Sequence, residues 1–397
     1  MTFSFTKLLC GIAVALLMVS SVGAQSPQVI GYVAGHGRVV KASEISPRKL
    51  TRIQYAFLFP VDGEVNDAVP TDAANLLTLV SLKQTAPALQ VVASVGGASH
   101  SDAFSAIALT AESRRRFSQS CLRLVEEYRL DGIDVDWEYP AARHTDGTIH
   151  PEDKRNYTLL MRDLRETFDA AEVRLGRHLI TSTATNGKAF FLHNTEMGEV
   201  SRYVDTINLM GYDFYGSSSK TTGNHAALYN DPADPNPVSD DQCVQAYLAA
   251  GVAPEKIVLG APFYGHGWTG VGTNHHGLFQ PVPAGTGFDI LYRDLVAQDL
   301  ASTSGFVRYW DADSAVPWLY NVNRGVFISY EDTESLGRKA EYVESRHLGG
   351  MMFWSLAGDD GDELLNAINK GLGRNVPAVA TGAPRNAGKG NDHPLPH

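Results

Sequence analysis

The chain has 397 residues, 44% of them apolar and 19% charged, with a formal net charge of −11. That length is too great for one small domain and suits a large α/β domain with an insertion. An acidic chain is a poor binder of polyanions, which argues against nucleic acid as a partner, whereas a neutral polymer is acceptable.

At the start, Lys7 precedes an almost uninterrupted apolar run from Leu8 to Val22, closed by the small residues Gly23 and Ala24. This is the layout of a secretory signal peptide cut after Ala24. The run is short for a membrane span and no basic cluster follows it. Residues 1–24 are therefore expected to be removed, leaving a secreted protein, extracellular or periplasmic, without a membrane anchor. Cys10 leaves with that segment. Cys121 and Cys243 fall in predicted helices and are expected as two buried thiols, although one pair can also form a single disulfide; no Cys-x-x-Cys metal spacing exists.

Eight strand-length apolar runs then recur: Val29–Ala34, Ile53–Phe59, Gln90–Val95, Gly132–Trp137, Leu179–Ala184, Val204–Met210, Ile257–Pro262 and Gly349–Trp354. Helical patterns lie between several of them. Glu112–Tyr128, Asp241–Ala250 and Thr333–Ser345 read as helices. Another begins at Pro151, a residue suited to a first helical position, with Tyr157, Leu160, Met161, Leu164 and Phe168 on one apolar face. Eight strands alternating with helices or short crossovers predict an α/β fold, a (β/α)8 barrel over residues 25–266 and 326–375. The connection after strand seven is too long for a bare loop. It holds short strand-like pieces and the aromatic residues Phe288, Tyr292, Tyr309, Trp310 and Trp318. Residues 267–325 are expected to form a small α+β insertion on the active-site rim. Residues 376–397 lack an apolar period and read as a disordered tail. No separate carbohydrate-binding module is expected after the barrel.

The most informative segment is Asp131-Gly132-Ile133-Asp134-Val135-Asp136-Trp137-Glu138. Side chains alternate faces along a strand. Asp134, Asp136 and Glu138 thus share one face, and Ile133, Val135 and Trp137 the other. Three acids line up inside the barrel, the last at the C-terminal strand end where barrel active sites form. Stacked carboxylates in a low-dielectric interior repel, so at least one proton is retained. That arrangement suits a group that must be protonated near neutral pH.

This segment resembles the signature of glycoside hydrolase family 18, the chitinase family. Further matches follow in order: Ser94-Val95-Gly96-Gly97 at the end of strand three, Met210-Gly211-Tyr212-Asp213 at strand six, Asn224-His225-Ala226-Ala227-Leu228 beyond it, Pro262-Phe263-Tyr264-Gly265 at strand seven, and Trp354 ending strand eight. The resemblance covers nearly all of the chain after the leader. It implies hydrolysis of β-1,4 bonds between N-acetylglucosamine units with retention, without a metal or cofactor, in a protein expected to be a monomer that binds chitin and its oligosaccharides. It also implies roles. Glu138 is the acid/base, and the 2-acetamido oxygen of the substrate is the nucleophile, an exception to the usual pair of protein carboxylates. Asp136 orients the acetamido group, Asp134 exchanges a proton with Asp136, and Tyr212 donates to the acetamido oxygen. Tyr32, Phe57, Gly97, Trp137, Met210, Asp213, Tyr264 and Trp354 are the expected substrate-binding residues. Ser94, Gly96 and Gly97 also read as residues that shape the strand end.

Two positions depart from the family pattern. His266 stands where chitinases often have Arg, and the loop Gly35-His36-Gly37-Arg38 lacks the Trp often found there. Both bear on subsite contacts. Rival readings are a non-catalytic chitin lectin, which typically loses the acid that Glu138 retains, and an endo-β-N-acetylglucosaminidase acting on N-glycans.

Overall fold

The computed structural model describes residues 26–66, 69–298, 300 and 303–375. The leader and the C-terminal tail lie outside the described residues. Eight parallel strands close into a barrel in chain order: β1 Gln28–Ala34, β2 Arg52–Leu58, β3 Gln90–Gly96, β4 Gly132–Asp136, β5 Ile180–Asn186, β6 Thr206–Met210, β7 Ile257–Pro262 and β8 Gly350–Trp354, which pairs back onto β1. All eight expected strands form, within a residue or two at their ends. The fold is the predicted (β/α)8 barrel.

The alternation along each strand sorts two cores. One set of side chains points out to the helices, as with Ile133, Val135 and Trp137 on β4, all essentially buried. The helix Asp153–Leu175 meets that layer with Tyr157, Leu160, Met161, Leu164 and Phe168, each 0% exposed. Pro151 does not open this helix. It lies in a preceding turn, where the Lys154 N–H bonds the Pro151 carbonyl, and the regular helix starts at Asp153. The inward set is mixed. Ile30, Tyr32, Ala56, Val258 and Met352 make a small apolar plug, and polar Gln54, Ser94, Asp134, Ser182 and Asn208 fill the rest.

The long connection after β7 folds into its own antiparallel sheet of five strands, Tyr264–Thr269, Gly287–Leu291, Val307–Asp311, Val316–Asn321 and Val326–Ser329. The sheet includes strands on both sides of the expected 267–325 span. Tyr264 reads as a barrel residue in sequence because β7 runs on into the first of these strands after a single residue, Phe263, and Ser329 because the last strand is short and stands just before the helix Thr333–Ser345. The aromatic residues expected to cluster there divide. Trp318 and Tyr309 stack at 5.3 Å within the insertion's own core, whereas Phe288 and Tyr292 pack against the barrel. Cys121 and Cys243 are free and buried. Among the described residues, no helix is long and apolar enough to cross a membrane.

Candidate active site

The two aspartates on β4 and Glu138, two residues beyond its end, stand as the alternation predicts. Asp134 is completely buried. Its Oδ2 accepts hydrogen bonds from Ser94 Oγ (2.7 Å) and the Tyr32 hydroxyl (3.0 Å), and its Oδ1 from Ser182 Oγ (2.7 Å) and Asn208 Nδ2 (3.2 Å). Burial raises the Asp134 pKa, but these donors and the buried Arg52 below it favour the charge. Asp136 is 3% exposed, and its Oδ1 has no partner. Burial first, then the charges of Glu138 and Asp134, push its pKa well above the usual carboxylate range. Glu138 follows the strand at the mouth. Burial raises it to about 7, aided by the charge of Asp213 and opposed by a hydrogen bond to Tyr139.

The backbone around the acids is fixed by two glycines and a serine. Gly96 has φ +113, and a Cβ there would stand 2.2 Å from the Asp136 carbonyl. Gly97 has φ +83 and donates its N–H to that carbonyl at 2.8 Å; a Cβ on it would enter the Phe57 ring. Only glycine meets both demands. Ser101 Oγ accepts from the Glu138 N–H at 2.8 Å and reaches the carbonyls of Gly97 and Asp136.

An aromatic floor lies beside the acids. Phe57 stacks on Trp354 at 5.4 Å, and Tyr32 is tilted against Trp354 at 5.8 Å. Tyr212 and Tyr264 meet edge to face at 6.2 Å, with Met210 against the same cluster. Phe57, Met210 and Trp354 are only partly buried, so they have apolar surface free for a ligand. Such faces suit the apolar side of a sugar ring. Trp137 is corrected. It is 1% exposed on the outer face of β4, stacked on Phe104 at 5.5 Å and edge-on to Tyr157, so it is a core residue that cannot touch a ligand in the barrel. The alternation that aims Glu138 inward sends Trp137 outward.

Asp213 faces the cleft from the loop after β6, with half its side chain open to solvent. Its Oδ1 accepts from the Tyr264 hydroxyl (2.6 Å) and contacts His266 Nε2 (2.8 Å), while His266 Nδ1 lies 2.5 Å from Asp289 Oδ1. Desolvation would raise the Asp213 pKa, but the hydrogen bond to His266 and the charge of that ring outweigh it and hold the carboxyl well below its usual range.

Asp213, His225 and His266 bring ligand-type atoms within 4.8 Å of one another, as do Asp231, Asp311 and Asp313. In the first set Asp213 and His266 are engaged with each other at 2.8 Å, a hydrogen-bond distance shorter than the roughly 3.3 Å that separates ligands around a tetrahedral zinc, while the ring nitrogens of His225 lack partners. In the second set Asp311 already accepts from Asn224 Nδ2 (2.6 Å) and from the Asp313 and Ser314 N–H groups.

Sequence reasoning missed Ser101, Tyr139, Ser182, Asn208 and Asp289. Ser182 and Asn208 had a signal. They are inward polar residues on strands next in order to β4, and Ser182 stands in register with Asp134. Asp289 had none, since its place depends on how the insertion sheet pairs, with His266 opposite it.

A model of the family described as glycosyl hydrolases family 18 matches residues 28–359. The chain is 35% identical to chitinase A1 of Niallia circulans, over 93% of this chain and 62% of that protein. It thus spans less than two thirds of that relative. It is 31% identical to chitinase B of Serratia marcescens, over 83% of this chain and 78% of that one. Among solved structures it is similar to a family 18 N-acetylglucosaminidase from Paenibacillus barengoltzii, with TM-score 0.80 and 37% identity, covering 87% of this chain and 99% of that one. It is also similar to the group IV chitinase of Ostrinia furnacalis in complex with allosamidin, with TM-score 0.78 and 28% identity, covering 87% and 99%.

Proposed function

The chain belongs to family 18 of the glycosyl hydrolases, and on that premise we propose that it hydrolyses β-1,4 bonds between N-acetylglucosamine units of chitin with retention of configuration. The observation that carries this reading is the row of Asp134 and Asp136 on one face of β4, continued by Glu138 just beyond the strand's end at the barrel mouth. Relatives named as chitinases support the substrate class.

Glu138, raised to about 7, keeps its proton at mildly acid pH and gives it to the glycosidic oxygen. The leaving sugar departs as that bond breaks. The 2-acetamido oxygen of the −1 sugar attacks C1 and forms an oxazolinium ion. Asp136, whose buried oxygen lacks a partner, passes its proton to Asp134 and, as the carboxylate, accepts the acetamido N–H and stabilises the positive charge. Tyr212 donates to the acetamido oxygen. Glu138, now a carboxylate, takes a proton from water as it adds to C1 and reopens the ring. Tyr32 and Asp134 support Asp136 from below. Trp354 and Phe57 form the floor under the −1 sugar, with Gly97 making room for Phe57. Met210, Asp213 and Tyr264 complete the wall. The insertion sheet deepens the cleft on the Asp213 side. Secretion after cleavage at Ala24, chitin binding and a monomeric state belong to the same reading, which needs no metal or cofactor.

A second reading, release of single N-acetylglucosamine units from chain ends, is favoured by the similarity to the Paenibacillus N-acetylglucosaminidase. Chitin hexamer digested beside an N-glycosylated protein separates the cases. Early dimers and trimers support the endo-acting chitinase, and early monomer supports exo-action. Cleavage of the glycoprotein with intact hexamer would contradict both.

A further inference from the structure

We propose that His266 is a positioning residue: a cationic clasp that holds the Asp213 carboxylate ionised and aimed into the cleft while tying it to Asp289 of the insertion sheet. The proposal rests on Asp213 being a sugar contact.

The geometry favours the charge. A neutral imidazole has one N–H. His266 makes two short contacts with carboxylate oxygens, at 2.8 Å to Asp213 and 2.5 Å to Asp289. With one proton, one of those contacts would set a lone pair against an anion. With two, both are charge-assisted hydrogen bonds, a class that runs short, and the one to Asp289 is the shorter. The ring is 5% exposed, where a charge persists only if paired, and two carboxylates pair it.

The other groups facing the ring do not compete for this role. His225 crosses it at 4.9 Å between centroids, completely buried, with both ring nitrogens lacking partners. Burial lowers His225 to about 4, so it is neutral. Its Nδ1 is 3.9 Å from Asp213, too far for a hydrogen bond. Tyr264, on the same strand, donates to the Asp213 oxygen that His266 holds. Ser329, in register across the sheet, donates no charge. Both bonds to Asp213 fall on Oδ1, leaving Oδ2 for the cleft. Burial works against the charge of His266, but its bonds to Asp213 and Asp289 outweigh burial and push its pKa up to about 9. An arginine here would stay charged at any usable pH. This histidine gives the clasp an alkaline limit.

Two measurements test it. In the full chain labelled with 15N-histidine, the His266 ring signals, identified by their loss in His266→Gln, should report two N–H protons at about pH 7.5 and titrate near 9. A singly protonated ring at that pH overturns the proposal, whether or not the chain cleaves chitin. Binding of N-acetylglucosamine trimer is then followed by calorimetry from about pH 6 to 10 in Glu138→Gln, which removes the titration of Glu138. Affinity should fall as pH passes about 9. Adding Asp289→Asn should move that fall to lower pH, and adding His266→Gln should cost roughly tenfold at about pH 7. A profile unchanged by both added substitutions overturns the positioning role. Trimer that never binds, with His266 doubly protonated, instead counts against the chitinase reading and leaves the clasp standing.

Discussion

Asp134 accepts hydrogen bonds from side chains on four other strands, β1, β3, β5 and β6, while Asp136, two residues along the same face of β4, keeps a buried oxygen without a partner. Donors stabilise an anion, and an unpartnered buried oxygen destabilises one. The proton that the pair retains therefore belongs to Asp136, beside Glu138.

Ser182→Ala tests this division. It removes one donor from Asp134 and raises its pKa, so the proton shifts away from Asp136. An anionic Asp136 then repels the Glu138 carboxylate and raises its pKa beyond about 7. The alkaline limb of kcat/KM should move to higher pH, and stability should fall by about 1 kcal/mol. A limb that stays put or moves down would show that the two aspartates do not share a proton in this way.

Glu138→Gln should lower kcat by at least ~10², with trimer affinity kept, because the shape survives and the transferable proton does not. Its stability carries a second signature. The folded pKa of Glu138 is raised, so its contribution is complete below the ordinary value of 4.5 and is lost as pH rises through about 7. Glutamine does not titrate. The variant should therefore melt like the wild type near pH 4 and above it near pH 8, by on the order of 1–3 kcal/mol. Equal melting at both pH values would mean that Glu138 is not held in a disfavoured charged state.

Gly97→Ala should damage the floor of the site. The residue has φ +83, and the added methyl would lie 2.7 Å from the Phe57 ring. Gly37→Ala is the control, because it has φ +71 and open space around it. Both should lose about 1 kcal/mol through backbone strain. Only Gly97→Ala should also weaken trimer binding, by displacing Phe57 from Trp354. Equal binding in the two variants would remove Phe57 from the site.

The barrel was legible because its signal is local. Each strand is a short apolar run, and period two on β4 assigns Asp134, Asp136 and Glu138 to one face without any knowledge of neighbours. The same rule, followed through, excludes Trp137 from the ligand side. The support around Asp134 was less legible, since Ser182 and Asn208 acquire meaning only once strand register is known. Asp289 was invisible. It reaches His266 through antiparallel pairing inside the insertion, a contact between residues that no periodicity links.

The central claim, substrate-assisted cleavage, is tested most directly on partly acetylated chitosan. Asp134, Asp136 and Glu138 all come from one strand, and Asp213, across the mouth, is held by Tyr264 and His266, so the nucleophile falls to the acetamido oxygen of the −1 sugar. Intramolecular attack by a well-held group supplies on the order of 7–11 kcal/mol at best. Mass-spectrometric sequencing of the new reducing ends should find N-acetylglucosamine at essentially every cut. Cellulose oligomers, which lack the acetamido group, should remain intact. Reducing ends that are frequently glucosamine would contradict the account, because they require a nucleophile supplied by the protein.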